Sequence, residues 1–190
     1  MKKARVGGGS FSWLRLPAKA RFAPDVRKLH AESLKRLGYV RTFLRLPFGP
    51  GRLALYQGYL DRLMRSDDAL LTGIERELLA LVVSVENRCE PCVIAHSQAL
   101  RKYGMDGGQV DALTISWRRA ELKPRLLTLA EFAWKLTVRP AEADASWVGA
   151  LRKAGLSEAQ IFEAAQIVGI YNSNNRINNV VGLHPNTPPS

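Results

Sequence analysis

Twelve consecutive residues, Glu75 to Glu86, constrain this chain more than any other stretch. Leu78, Leu79, Leu81, Val82, Val83 and Val85 leave the run almost without a polar face, so a helix here has to be surrounded by other elements. Thr72, followed three residues later by Glu75, has the pattern of a capping box, in which the hydroxyl takes one unpaired amide at the helix start and the carboxylate takes another. The Val-rich end on its own reads as a strand; the length of the run and its cap make it a helix. A chain folded around such a helix needs further apolar faces to cover it.

The rest of the sequence supplies them with helical spacing. Pro24-Asp25 opens a run carrying Val26, Leu29, Leu34 and Leu37, which Gly38 stops. A short helix is expected over Tyr39–Leu46, before Pro47, and another over Leu53–Met64 beyond Pro50-Gly51. Glu90-Pro91 begins a helix running to about Lys102 and closed by Gly104. A short element surrounds Val110–Leu113. Pro124 starts a long helix that Pro140 ends. Asp144 caps a short one ending at Gly155, and Ser157 with Gln160 forms a second capping-box pattern ahead of the apolar run Ile161–Tyr171. Asparagine then dominates Asn172–Asn179. The expected fold class is all-α, with about seven to nine helices in a single domain over residues 24–186, a flexible basic arm over 1–23 and a frayed tail over 187–190.

Charge is distributed unevenly. Of 28 Lys/Arg and 17 Asp/Glu, residues 1–52 hold 13 basic and 2 acidic side chains, leaving 15 of each sign in residues 53–190. The excess of +11 therefore belongs to the first quarter. A domain built to track phosphates spreads its basic groove over the folded body, so nucleic acid is not the expected partner; the rival is a basic arm that touches it. No run is long and apolar enough for a membrane span, and the start lacks the apolar core of a secretory signal. A cytoplasmic location is expected, where two cysteines close in sequence point to catalysis or metal binding rather than a permanent cross-link.

The chemistry concentrates in Cys89-Glu90-Pro91-Cys92-Val93-Ile94-Ala95-His96. Cys92 and His96 are four apart on a helix and Cys89 is two turns from His96, so one imidazole shares a face with both sulfurs. Pro91 suits a first helical turn. Both sulfurs then lie at the positive end of a helix dipole, which favours thiolate. A thiolate with a base nearby and a second thiol three residues away is a redox dithiol: one sulfur attacks a peroxide, becomes sulfenic acid and is resolved by the other. Two other readings remain open. The pair with His96 supplies three ligands towards zinc, with a fourth from elsewhere, or the two cysteines are inert members of a core helix.

Glu77, eleven residues, Cys89, two residues, Cys92, three residues, His96: this spacing resembles the motif of the alkylhydroperoxidase D-like proteins, within the wider carboxymuconolactone decarboxylase family. The string from Glu75 to Cys89 and the late segment Tyr171–Asn179, ending in Val180-Val181-Gly182-Leu183, resemble the peroxidase-related branch. The resemblance covers roughly residues 25–186. It implies an alkylhydroperoxidase D-like helical fold, a homo-oligomer (trimer or hexamer), and a thiol-dependent peroxidase that needs no metal, haem, flavin or other cofactor but does need an external thiol or dithiol reductant. By matched position, Cys92 resembles the peroxide-attacking cysteine, Cys89 the resolving partner, and His96 with Glu77 the proton relay. Glu86, three residues before Cys89, is a rival relay carboxylate. Pro91 stands where many relatives carry an aromatic residue or His, and Ala95 where they often carry a second His; fewer protonatable groups argue against fast turnover. A non-enzymatic redox sensor and a general disulfide oxidoreductase are the alternatives that use the same dithiol. Asn174, Asn175 and Arg176 are expected to hydrogen-bond other helices or a neighbouring subunit.

Overall fold

A computed structural model describes residues 11–15 and 22–186. Most of the basic arm and the tail 187–190, for which flexibility and fraying were expected, lie outside the described residues. Among the described residues eight α-helices follow in order: α1 Pro24–Leu37, α2 Arg52–Arg65, α3 Gly73–Glu86, α4 Glu90–Lys102, α5 Gly107–Ile115, α6 Pro124–Val138, α7 Ala145–Lys153 and α8 Glu158–Val180. No strand occurs among the described residues, so the all-α expectation holds.

Two compact units organise the chain, one formed by residues 60–176 and the other by the residues up to Tyr59 together with those from Ile177 onward. In the first, α3 is the axis. Its ten residues Glu75–Ser84 are all buried, and it packs against α4, α5 and α6. The capping box at its start is complete: the Thr72 hydroxyl accepts the Glu75 amide, and the Glu75 carboxylate accepts the Thr72 amide at 2.8 Å. Glu75 also takes a hydrogen bond from Arg125 of α6 at 2.5 Å, which joins two helix starts. At the start of α8, Ser157 and Gln160 cap each other. One turn further on, Glu163 accepts the Leu70 and Leu71 amides that precede α3. Leu78, Leu79, Leu81, Leu100, Leu113, Leu129, Leu151 and Ile167 fill the space between these helices without exposure to solvent.

In the second unit, Val26, Leu44 and Leu53 form a small core. The helix expected over Tyr39–Leu46 is a shorter 3₁₀ turn, Thr42–Arg45. Leu46 is extended there (ψ 151°), the conformation that a following proline imposes on its neighbour. Residues 11–13 meet the segment after α8: the Trp13 amide donates to the Val181 carbonyl and the His184 amide to the Phe11 carbonyl, each at 2.9 Å.

Candidate active site

The turn from α3 into α4 places the two cysteines. α3 ends in a Schellman arrangement: the Arg88 amide returns to the Val85 carbonyl and the Cys89 amide to the Ser84 carbonyl. The residue that has to be left-handed in this motif is usually glycine; here it is Arg88, with φ 53°. Cys89 is thereby delivered as the N-cap residue of α4, and its carbonyl accepts the Cys92 and Val93 amides at 3.0 and 2.9 Å. Pro91 occupies the first turn, where its missing amide costs no hydrogen bond. Cys89 and Cys92 are joined as a disulfide, with Cα atoms 5.3 Å apart. Cys89 is fully buried, and Cys92 retains 7% of its surface.

One turn along α4 from Cys92 stands His96, itself buried. Its Nδ1–H donates to Glu77 Oε2 at 2.6 Å, across from the second turn of α3. The carboxylate fixes the tautomer and leaves Nε2 as the nitrogen that can exchange a proton. The ring of Tyr171, on α8, meets the imidazole edge to face, with centroids 4.5 Å apart and planes at 89°. Of the two candidate carboxylates, Glu77 is the one paired with His96; Glu86 ends α3, beside the turn. Among the described residues no group of three or more His, Cys, Asp or Glu side chains is arranged to hold a metal ion.

The asparagine segment of α8 also reaches this corner. Asn175, fully buried, donates from Nδ2 to the Ser84 hydroxyl at 3.3 Å, while Asn172 Oδ1 accepts from Asn87 Nδ2 at 3.0 Å. The expectation for Asn175 therefore holds. Arg176 instead bonds back within its own helix, to Asn172, and Asn174 Oδ1 has no hydrogen-bond partner among the described residues. Sequence reasoning missed Ser84 as a member of the site and assigned no contact to Asn172 or Tyr171, although both lie in the late segment that carries the resemblance. A signal existed for Ser84, the lone hydroxyl in an otherwise apolar stretch of α3. Tyr171 was marked only by its place in the late segment, since locally it closes an apolar run as any core aromatic would.

Residues 50–135, which contain Glu77, both cysteines and His96, match the Carboxymuconolactone decarboxylase family. Among solved structures, the chain is similar to the alkylhydroperoxidase AhpD core of a peroxidase-related protein from Ralstonia eutropha JMP134, at 28% identity over 94% of each chain, with a TM-score of 0.86. It is also similar to a peroxidase-related protein from Silicibacter sp. TM1040, at 27% identity over 96% of each chain, with a TM-score of 0.87. The debrominase Bmp8, in complex with 2,3,4-tribromopyrrole, shares the fold at 16% identity over 92% of each chain, with a TM-score of 0.72. No curated protein matches the sequence.

Proposed function

We propose that the chain is a member of the alkylhydroperoxidase D-like, carboxymuconolactone decarboxylase family and, within it, a thiol-dependent peroxidase that reduces organic hydroperoxides through Cys89 and Cys92. What carries the reading is the buried Glu77–His96 pair, 2.6 Å apart, set one helical turn from Cys92. A base held this way has one purpose that a core histidine lacks: it takes a proton from a thiol and returns it to a leaving oxygen.

The steps balance. The Cys92 thiolate, favoured at the third position of a helix, attacks the terminal oxygen of ROOH. The O–O bond breaks, Cys92 becomes sulfenic acid, and the alkoxide takes a proton from the His96 imidazolium to leave as ROH. Cys89 then loses its proton and attacks the Cys92 sulfur. The S–O bond breaks, hydroxide takes up a proton as water, and the disulfide closes. An external dithiol reopens it by exchange. Cys92 as the attacking sulfur agrees with its residual exposure against the complete burial of Cys89. The proposed working form is a homo-oligomer.

A single-turnover reaction of the reduced protein with one equivalent of cumene hydroperoxide, read by peptide mass spectrometry, tests this. Rapid closure of Cys89–Cys92 is expected, slowed about 10²- to 10⁴-fold in His96→Ala. Thiols oxidising no faster than free cysteine would overturn the peroxidase reading, and exchange with protein disulfides instead would favour a disulfide oxidoreductase.

A further inference from the structure

The asparagines of α8 have no part in the chemistry above, yet two of them grip the turn that delivers Cys89. Asn172 has no hydrogen-bonding capacity left over. Its Oδ1 accepts from Asn87 Nδ2 and from Arg176 Nη1 at 3.0 and 2.6 Å, and its Nδ2 donates to Thr137 Oγ1 and the Val168 carbonyl at 3.1 and 3.0 Å. With two bonds accepted and two donated, the amide is locked in one orientation. Asn175 donates to the Ser84 hydroxyl, which spends its own proton on the Ala80 carbonyl at 2.7 Å. The carbonyl of the same Ser84 accepts the Cys89 amide at 2.9 Å. α8 thus holds the turn at both ends, at Ser84 and at Asn87.

The turn needs holding. Arg88 is left-handed without being glycine, a conformation that costs a side-chain-bearing residue about 1–2 kcal/mol and persists only where the surroundings impose it. Without the grip on Ser84 and Asn87, Arg88 relaxes and the N-cap position of Cys89 is lost with it.

We propose that Asn172 and Asn175 are positioning residues for the dithiol, holding the 84–89 turn so that Cys89 and Cys92 stay within closing distance whether oxidised or reduced. The inference rests on reading the pair as a dithiol that cycles. Closing the disulfide removes two electrons and two protons from the thiols. Glutathione disulfide takes them up, its S–S bond breaking to give two glutathione thiols. The equilibrium constant contains the probability that the two sulfurs meet, so a loosened turn lowers it without any change in the sulfurs themselves.

The experiment titrates the full-length protein against mixtures of reduced and oxidised glutathione, with the thiol fraction read by alkylation and mass spectrometry. Asn172→Ala and Asn175→Ala are expected to lower the equilibrium constant for disulfide formation about five- to tenfold, the equivalent of one buried hydrogen bond. Glu163→Ala, which removes the acceptor of the Leu70 and Leu71 amides on the same helix, is the structural control: it lowers the melting temperature and leaves the constant unchanged. If Asn175→Ala does not fold, Asn87→Ala on the half-exposed side of the turn takes its place. A constant within twofold of wild type in the asparagine variants, or an equal shift in the control, overturns the inference. A wild-type dithiol that fails to exchange with glutathione overturns it too, together with the cycling dithiol. A dithiol that exchanges, shows the shift and ignores hydroperoxide sustains the inference and sinks only the peroxidase reading.

Discussion

Tyr171 meets the imidazole that is bonded to the Glu77 carboxylate, and the angle between the rings is nearly a right angle. An edge-to-face aromatic pair contributes about 0.5–1.5 kcal/mol beyond area burial. Here that energy keeps the plane of His96 fixed while Glu77 fixes its tautomer. Tyr171→Leu is therefore expected to slow disulfide closure about three- to tenfold at the rate optimum and to shift the pH dependence of that rate, whereas Tyr171→Phe retains both. Single-turnover rates across pH check this. A purely structural ring would lower the melting temperature of the leucine variant and leave the pH profile of the folded protein where it was. At this scale the sequence was most legible where chemistry and helical spacing coincide. Cys92 and His96 share a face by arithmetic. The choice of Glu77 over Glu86 came from the resemblance, and only the packing of α3 on α4 pairs a carboxylate with the imidazole. Tyr171 lies 75 residues beyond His96, and no local period reports a contact of that range.

Helix boundaries were legible because they are local chemistry. Thr72 with Glu75, Ser157 with Gln160, Asp144, Gly38 and Gly104 each mark an end that the structure places where the pattern did. The end of α3 was not legible, since its left-handed residue is Arg88 and sequence alone gives no reason to seek one there. The start of α3 carries a testable charge. Burial on its own would raise the pKa of Glu75, but the hydrogen bond from Arg125, followed by the amide and hydroxyl of Thr72, outweighs it, and the carboxyl titrates below its ordinary value. A depressed carboxyl contributes stability that is fully present above the unfolded-state pKa, about 4.3, and is lost as pH falls through the lower folded value. Glu75→Gln keeps an acceptor for Thr72 but no charge for Arg125. It is expected to cost about 1.5–3 kcal/mol at pH 7, with the difference from wild type vanishing in acid below the folded pKa. Urea unfolding at pH 7 and at successively lower pH measures both. A difference that stays constant through acid would mean that the ion pair contributes nothing to holding α3 against α6.

Across the whole chain, the basic excess lies in the first quarter, and the described part of that quarter is tied to the other end of the sequence. Phe11, Ser12 and Trp13 bond to the main chain at Val181 and His184, with the Ser12 hydroxyl reaching the Val181 carbonyl at 2.7 Å. Gly182 makes this approach possible twice over. Its φ of 58° lies in the left-handed region, and a Cβ built on it would fall inside the indole of Trp13. Trp13 is 65% exposed, so its place depends on these few bonds and on that bare backbone rather than on burial in a core. Gly182→Ala meets the left-handed penalty of about 1–2 kcal/mol and pushes the indole away, and both effects act on the same junction. The expected outcome is faster tryptic cleavage after the exposed Arg15, by roughly tenfold for 1.4 kcal/mol of local opening, while the Cys89–Cys92 closure rate stays at its wild-type value. Cleavage at an unchanged rate would mean that residues 11–13 are held by something other than the Val181–His184 strip. A slowed closure rate would mean that the junction of residues 11–13 with 181–184 also serves the dithiol.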